Sequence, residues 1–140
     1  MRAGLVAERS RLVVFGAAIA MVAVAALRVP PVLAVQKTDE EPDTNKIVPA
    51  MVDAGRAVFH SRGTCFACHG PKLEGTQVAP TLIKTVWRDA KDGDLKAIYY
   101  VITHGVSGTV MVAFPSGINK TDAANVAVYI WSVNHRGAKP

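Results

Sequence analysis

The spacing of apolar residues changes character twice along the chain, and each change marks a boundary. From Leu12 to Leu27 sixteen residues (LVVFGAAIAMVAVAAL) pass without a charge. From Val35 to Ala50 (VQKTDEEPDTNKIVPA) no apolar period survives, and Asp39, Glu40, Glu41 and Asp43 cluster around Pro42. Beyond that point apolar positions recur at helical intervals. Val52, Gly55, Val58 and Phe59 predict a short helix from Met51 to about Ser61, ended before Gly63. Leu95, Ile98, Tyr99, Val101 and Ile102 predict a second, capped by Asp92 or Asp94 and closed at His104-Gly105. Asn119 with Asp122 three residues on resembles a capping box, and Val126, Tyr129, Ile130 and Val133 then form one face of a third helix to near Asn134. Two irregular stretches, Gly70 to Lys91 and Gly105 to Ile118, are rich in Gly, Pro and Thr. Loops that long are uncommon in a small domain unless they wrap something, and a bound cofactor would supply it.

The uncharged run is preceded by Arg2, Arg9 and Arg11 against Glu8 alone, the charge pattern of an export leader. At about 1.5 Å per residue it spans roughly 24 Å, short of the ~30 Å hydrocarbon core. Pro30, Pro31 and Val32-Leu33-Ala34 then offer a cleavage site after Ala34. Retention is the other outcome: Arg28 can snorkel at the outer face, residues 12–27 contact the membrane, and residues 35–50 become a tether with a reach of roughly 20–24 Å. The expected organisation is a signal peptide or anchor over 1–34, a polar linker over 35–50, one domain over 51–136 and a tail over 137–140. The domain lies outside the cytoplasmic membrane, free in the periplasm or anchored to the membrane's outer face.

The sequence pI of 9.5 suggests an anionic partner, but the excess charge sits in the leader. Of 16 Lys and Arg against 11 Asp and Glu, residues 1–34 hold four arginines and one glutamate, which leaves 12 against 10, a net of +2. No basic stripe or nucleic-acid motif is present, so nucleic acid is excluded as a partner.

The cysteine count is two, and the pair stands in Cys65-Phe66-Ala67-Cys68-His69. C-x-x-C-H is the attachment signature of c-type haem. One short turn presents two thiols to the two vinyl groups on one porphyrin edge, and the adjacent imidazole can reach the iron as an axial ligand. A zinc site would need further cysteines, and His60, His104 and His135 are scattered. A thioredoxin-like pair would need a βαβ pattern around the motif, which is missing.

From about Met51 to Val133 the chain resembles the small single-haem cytochrome c family. The family carries a Gly and an aromatic in the helix before the motif, matched by Gly55 and Phe59, and an apolar residue and an aromatic three apart in its last helix, matched by Val126 and Tyr129. The resemblance implies an all-α cytochrome c-like fold, three to four short helices and long loops around one covalent haem c, here preceded by the N-terminal leader helix. It implies close crossing of the first and last helices at Gly55, and Pro80 as the backbone acceptor for the axial His69. It also implies Met111, 42 residues after His69, as the second axial ligand. The family usually follows that Met with Pro, where this chain has Val112, before Ala113 and Phe114 resume the pattern. His104 is the rival ligand; Met51 reads as packing, and His60 and His135 as surface residues. Trp87, Arg88, Tyr99 and Trp131 are pocket or packing candidates.

With imidazole and thioether filling both axial positions, iron is closed to substrates, so the resemblance implies no enzyme but a carrier of single electrons between redox partner proteins. Met ligation raises the potential relative to His/His. The alternatives are a membrane-anchored electron-transfer subunit of a respiratory or dehydrogenase complex, and an open-site haem with peroxidase or gas-binding activity.

Overall fold

Pro49 opens the first helix, where a residue without an N–H costs no hydrogen bond. The structure, a computed structural model, describes residues 41–83 and 87–140; the expected leader and the first part of the linker lie outside them. Helix α1 (Pro49–Phe59) thus begins two residues before the first expected position and buries Gly55, Val58 and Phe59. Ahead of it Thr44–Lys46 forms a 3-10 turn whose Asp43 side chain accepts from the Asn45 N–H. Helix α2 (Cys65–His69) is the short turn expected at the motif, here a five-residue helix set between Thr64 at φ +50° and Gly70 at φ +78°. Helix α3 (Leu95–His104) is capped by Asp94, whose carboxylate accepts from Lys96 N and Ala97 N at 3.0 and 3.1 Å. Asp92 is not the cap; it sits at φ +53° in the preceding 3-10 turn.

Helix α4 (Lys120–Arg136) starts at Asn119, whose side chain accepts from Asp122 N at 2.9 Å. Only half of a capping box forms, because the Asp122 carboxylate is taken by Arg62 instead. The expected single apolar face is also too narrow. Every residue from Asp122 to Ile130 is buried, since α1, α3 and the loops cover the helix from several sides.

The crossing of α1 and α4 depends on a missing side chain. A Cβ on Gly55 would strike the Asn125 carbonyl and lie 2.8 Å from Tyr129 Cβ. The approach seats Phe59 edge-on against Tyr129, ring centroids 5.6 Å apart. The fold is helical with no strand among the described residues, and none of their helices is long and apolar enough to cross a membrane.

Candidate functional site

Two thiols and an imidazole are presented by α2 because the chain turns sharply on both sides of it. Thr64 takes the left-handed conformation at the helix start, and its hydroxyl bonds Ser116 at 2.5 Å, tying the motif to a loop 52 residues away. Gly63 must be small: a Cβ there would lie 2.8 Å from Val58 O and 3.2 Å from Cys65 Sγ. After the helix, Gly75 N donates to His69 O at 2.7 Å and the Thr76 hydroxyl to Cys68 O at 2.6 Å, so the following loop folds back over the motif.

That loop brings Pro80 to His69. Nδ1 of His69 lies 2.9 Å from the Pro80 carbonyl oxygen. A carbonyl can only accept, so Nδ1 carries the proton and the lone pair is on Nε2. Burial holds the imidazole's proton affinity below the usual histidine value, against the smaller opposing effect of the Pro80 bond. The loop's shape is fixed by Leu73, fully buried although at φ +63°, whose carbonyl accepts from Leu82 N and the Thr81 hydroxyl. Asn134 of α4 ties it down by donating to Leu82 O at 2.8 Å.

The second loop is braced against the end of α3. Gly105, at φ +72°, lets the chain turn where a Cβ would lie 2.6 Å from Met111 O. Val106 N donates to that same oxygen at 2.8 Å, and Phe114 N donates to Ile102 O at 2.8 Å.

Cys65, Cys68, His69, Pro80 and Met111 all line one cavity of about 410 Å³. Its walls include Phe59, Ile98, Ile102, Val126 and Ile130, from α1, α3 and α4. The volume falls within the ~300–1,000 Å³ usual for cofactor pockets. Burial, the largest effect, pushes the Cys65 thiol up to about 11. No cluster of three or more His, Cys, Asp or Glu able to hold a bare metal ion occurs among the described residues. Two vinyl-reactive thiols, an imidazole with a directed lone pair, a thioether and apolar walls together fit a haem.

His104 does not line this cavity. It is exposed, stacked on Tyr100 at 3.9 Å, with Nδ1 held by the Thr103 hydroxyl at 2.9 Å. Met51 packs on the core from α1, and His135 is exposed and stacked on Trp131. His60 departs from its surface expectation, being half buried against Phe59, Phe66 and Tyr129. Trp87 and Arg88 line the cavity, whereas Tyr99 and Trp131 are not among its lining residues. The Arg62–Asp122 pair, Thr64, Leu73 and Asn134 were invisible in the sequence, since each depends on a partner more than 50 residues away or on an irregular backbone.

Residues 50–130 match the family model described as cytochrome C oxidase, cbb3-type, subunit III. A curated relative, the Cbb3-type cytochrome c oxidase subunit CcoP of Azospirillum brasilense, is 36% identical over 110 residues, covering 69% of this chain. The chain spans only 36% of that relative's length. Cytochrome cL from Hyphomicrobium denitrificans has a similar structure (TM-score 0.52, 21% identity, 60% of this chain and 48% of that one). So does cytochrome CL from Methylophaga aminisulfidivorans MPT (TM-score 0.57, 20% identity, 66% and 59%). At these identities the structural likeness establishes the fold.

Proposed function

The chain belongs to the cytochrome C oxidase, cbb3-type, subunit III family, and from that premise we propose that Cys65 and Cys68 hold its haem c covalently, with His69 and Met111 on the iron, for single-electron transfer outside the cytoplasmic membrane. The observation that carries this assignment is the convergence of both thiols, His69 and Met111 on one apolar cavity. When bound, the haem supplies one-electron exchange between Fe(II) and Fe(III).

The protein's own groups have separable tasks. Cys65 and Cys68 would anchor the haem at α2. The Pro80 carbonyl keeps the Nδ1 proton in place and so holds the His69 ring in the tautomer whose Nε2 can bind iron. Met111 would hold the group alongside His69 and leave no place for a substrate on the metal, which suits a carrier and not a catalyst in its own right. The apolar walls exclude water and favour the less charged ferrous form.

Electrons pass to and from redox partner proteins. In the first reading the domain does so as a diffusing carrier. The match to the cbb3 family and to CcoP favours a second, in which the same domain is a membrane-held electron-transfer subunit of an oxidase complex.

The test is made on protein expressed with c-type haem maturation. One haem per chain should resist acid extraction, titrate as a single one-electron couple, and refuse carbon monoxide when reduced. Complete extraction of the haem would end the covalent reading; ready carbon monoxide binding would end the closed-site reading and point to a gas-binding or peroxidase-like haem.

A further inference from the structure

A second cavity, of about 300 Å³, shares no lining residue with the haem cavity. Ile47, Pro49, Val52, Asp53 and Arg56 line it from the start of the domain, and Ser132, Arg136, Ala138 and Lys139 from the end of α4 and the tail. Three of these are cations, Arg56 half-buried and Arg136 and Lys139 exposed, and the one carboxylate, Asp53, is exposed too. Both arginines are held in place. Arg56 lies over the Tyr129 ring at 5.5 Å and its Nη2 donates to the Lys139 carbonyl. Arg136 lies over Trp131 at 5.1 Å and its Nη2 donates to Thr44 O at 3.1 Å.

Two buried polar atoms here have no partner: Arg56 Nε and the hydroxyl of Ser132, a residue only 1% exposed. A helical serine ordinarily turns its hydroxyl to the carbonyl one turn back, and this one does not. Buried polar atoms are otherwise almost always satisfied, so the pair calls for an acceptor.

We propose that this cavity binds a phosphate oxyanion, whose oxygens accept from Arg56 Nε–H and the Ser132 hydroxyl and whose charge is neutralised by Arg56, Arg136 and Lys139. A tetrahedral oxyanion offers several charged acceptor oxygens at once, enough to meet both buried donors and to face the surrounding cations. The free phosphate ion and the phosphodiester of a lipid headgroup share this chemistry. Water could satisfy the same two atoms, and the experiment separates water from anion.

The measurement is calorimetric titration of the haem-loaded full chain with inorganic phosphate, against sodium chloride at matched ionic strength. Saturable 1:1 binding is expected. Ser132→Ala and Arg56→Lys should each weaken it by about tenfold, the scale of one lost charge-assisted hydrogen bond. Asp53→Asn should tighten it, and the haem spectrum should stay unchanged in all three. Diglycerol phosphate, a diester without lipid chains, separates the sources: comparable affinity identifies a headgroup site, exclusive preference for inorganic phosphate a free-ion site. A response to phosphate no different from chloride, or binding untouched by both Ser132→Ala and Arg56→Lys, overturns the proposal. Should Arg56→Lys fail to fold, Ser132→Ala decides alone, because it only removes an unsatisfied hydroxyl.

Discussion

Met111 owes its position to backbone bonds on either side of it. Its own carbonyl accepts from Val106 N, and three residues on Phe114 N reaches back to Ile102 O in α3. These two bonds and the Gly105 turn brace the loop although Val112 stands where a proline is usual in the resembling family. If the sulfur is the second axial ligand, Met111→Ala opens the iron: the oxidised spectrum turns largely high-spin, the reduced protein binds carbon monoxide, and the potential falls. His104→Ala should leave all three as they were, because that imidazole is exposed, stacked on Tyr100 and absent from the cavity wall. Visible spectra and a redox titration of both variants check this. The opposite pattern, with His104→Ala alone changing them, would replace the ligand set by His/His. His69→Ala is expected to prevent stable holoprotein, since the cavity and its occupant form much of the interior; recovery of an ordinary low-spin haem protein would move the proximal ligand elsewhere.

Among the elements, the crossing of α1 and α4 is the most sensitive to one atom. Gly55→Ala places a methyl group on the Asn125 carbonyl, inside α4, where the obstacle is backbone and cannot rotate away. A loss of about 3 kcal/mol is expected, the upper part of the range for overpacking, measured by chemical unfolding of the haem-loaded protein. Asn119→Ala should cost about 1 kcal/mol in the same assay by freeing the Asp122 N–H. Such contacts also show what the sequence could and could not reveal. The long helices were legible because their apolar residues repeat, and Gly55 was legible through its family resemblance. Helix α2 was legible only through its motif, because five residues carry no period. The burial of Asp122, Asn125 and Ser132 on α4 was not legible, because their polarity reads as a solvent face until α1 and the loops cover them. At the candidate site the motif itself announced Cys65, Cys68 and His69. The fold of the loop that brings Pro80 to His69 rests on Leu73 in a left-handed conformation that leucine seldom adopts, so local sequence gave no sign of it.

At the scale of the whole molecule, the charge distribution bears on how partners find the haem. Outside residues 1–34 the net charge is only +2. The cavity-lining residues Val78, Val110 and Val112 are 61, 69 and 58% exposed, so the mouth of the site carries a set of apolar side chains. Long-range steering needs a substantial field of one sign, and an apolar contact is indifferent to salt. Electron exchange with the native partner should therefore depend weakly on ionic strength: the second-order rate constant, followed by stopped-flow absorbance, is expected to change less than about threefold between ~10 and ~200 mM salt, where a steered pair would fall steeply. Val110→Lys adds charge at the mouth and should introduce a salt dependence whose sign reports the charge of the partner. A steep dependence in the unmodified protein would mean that local charges near the mouth, such as Arg88, guide docking in spite of the small total. First-order exchange, independent of concentration and salt alike, would instead identify the domain as a fixed subunit that passes its electron without dissociating.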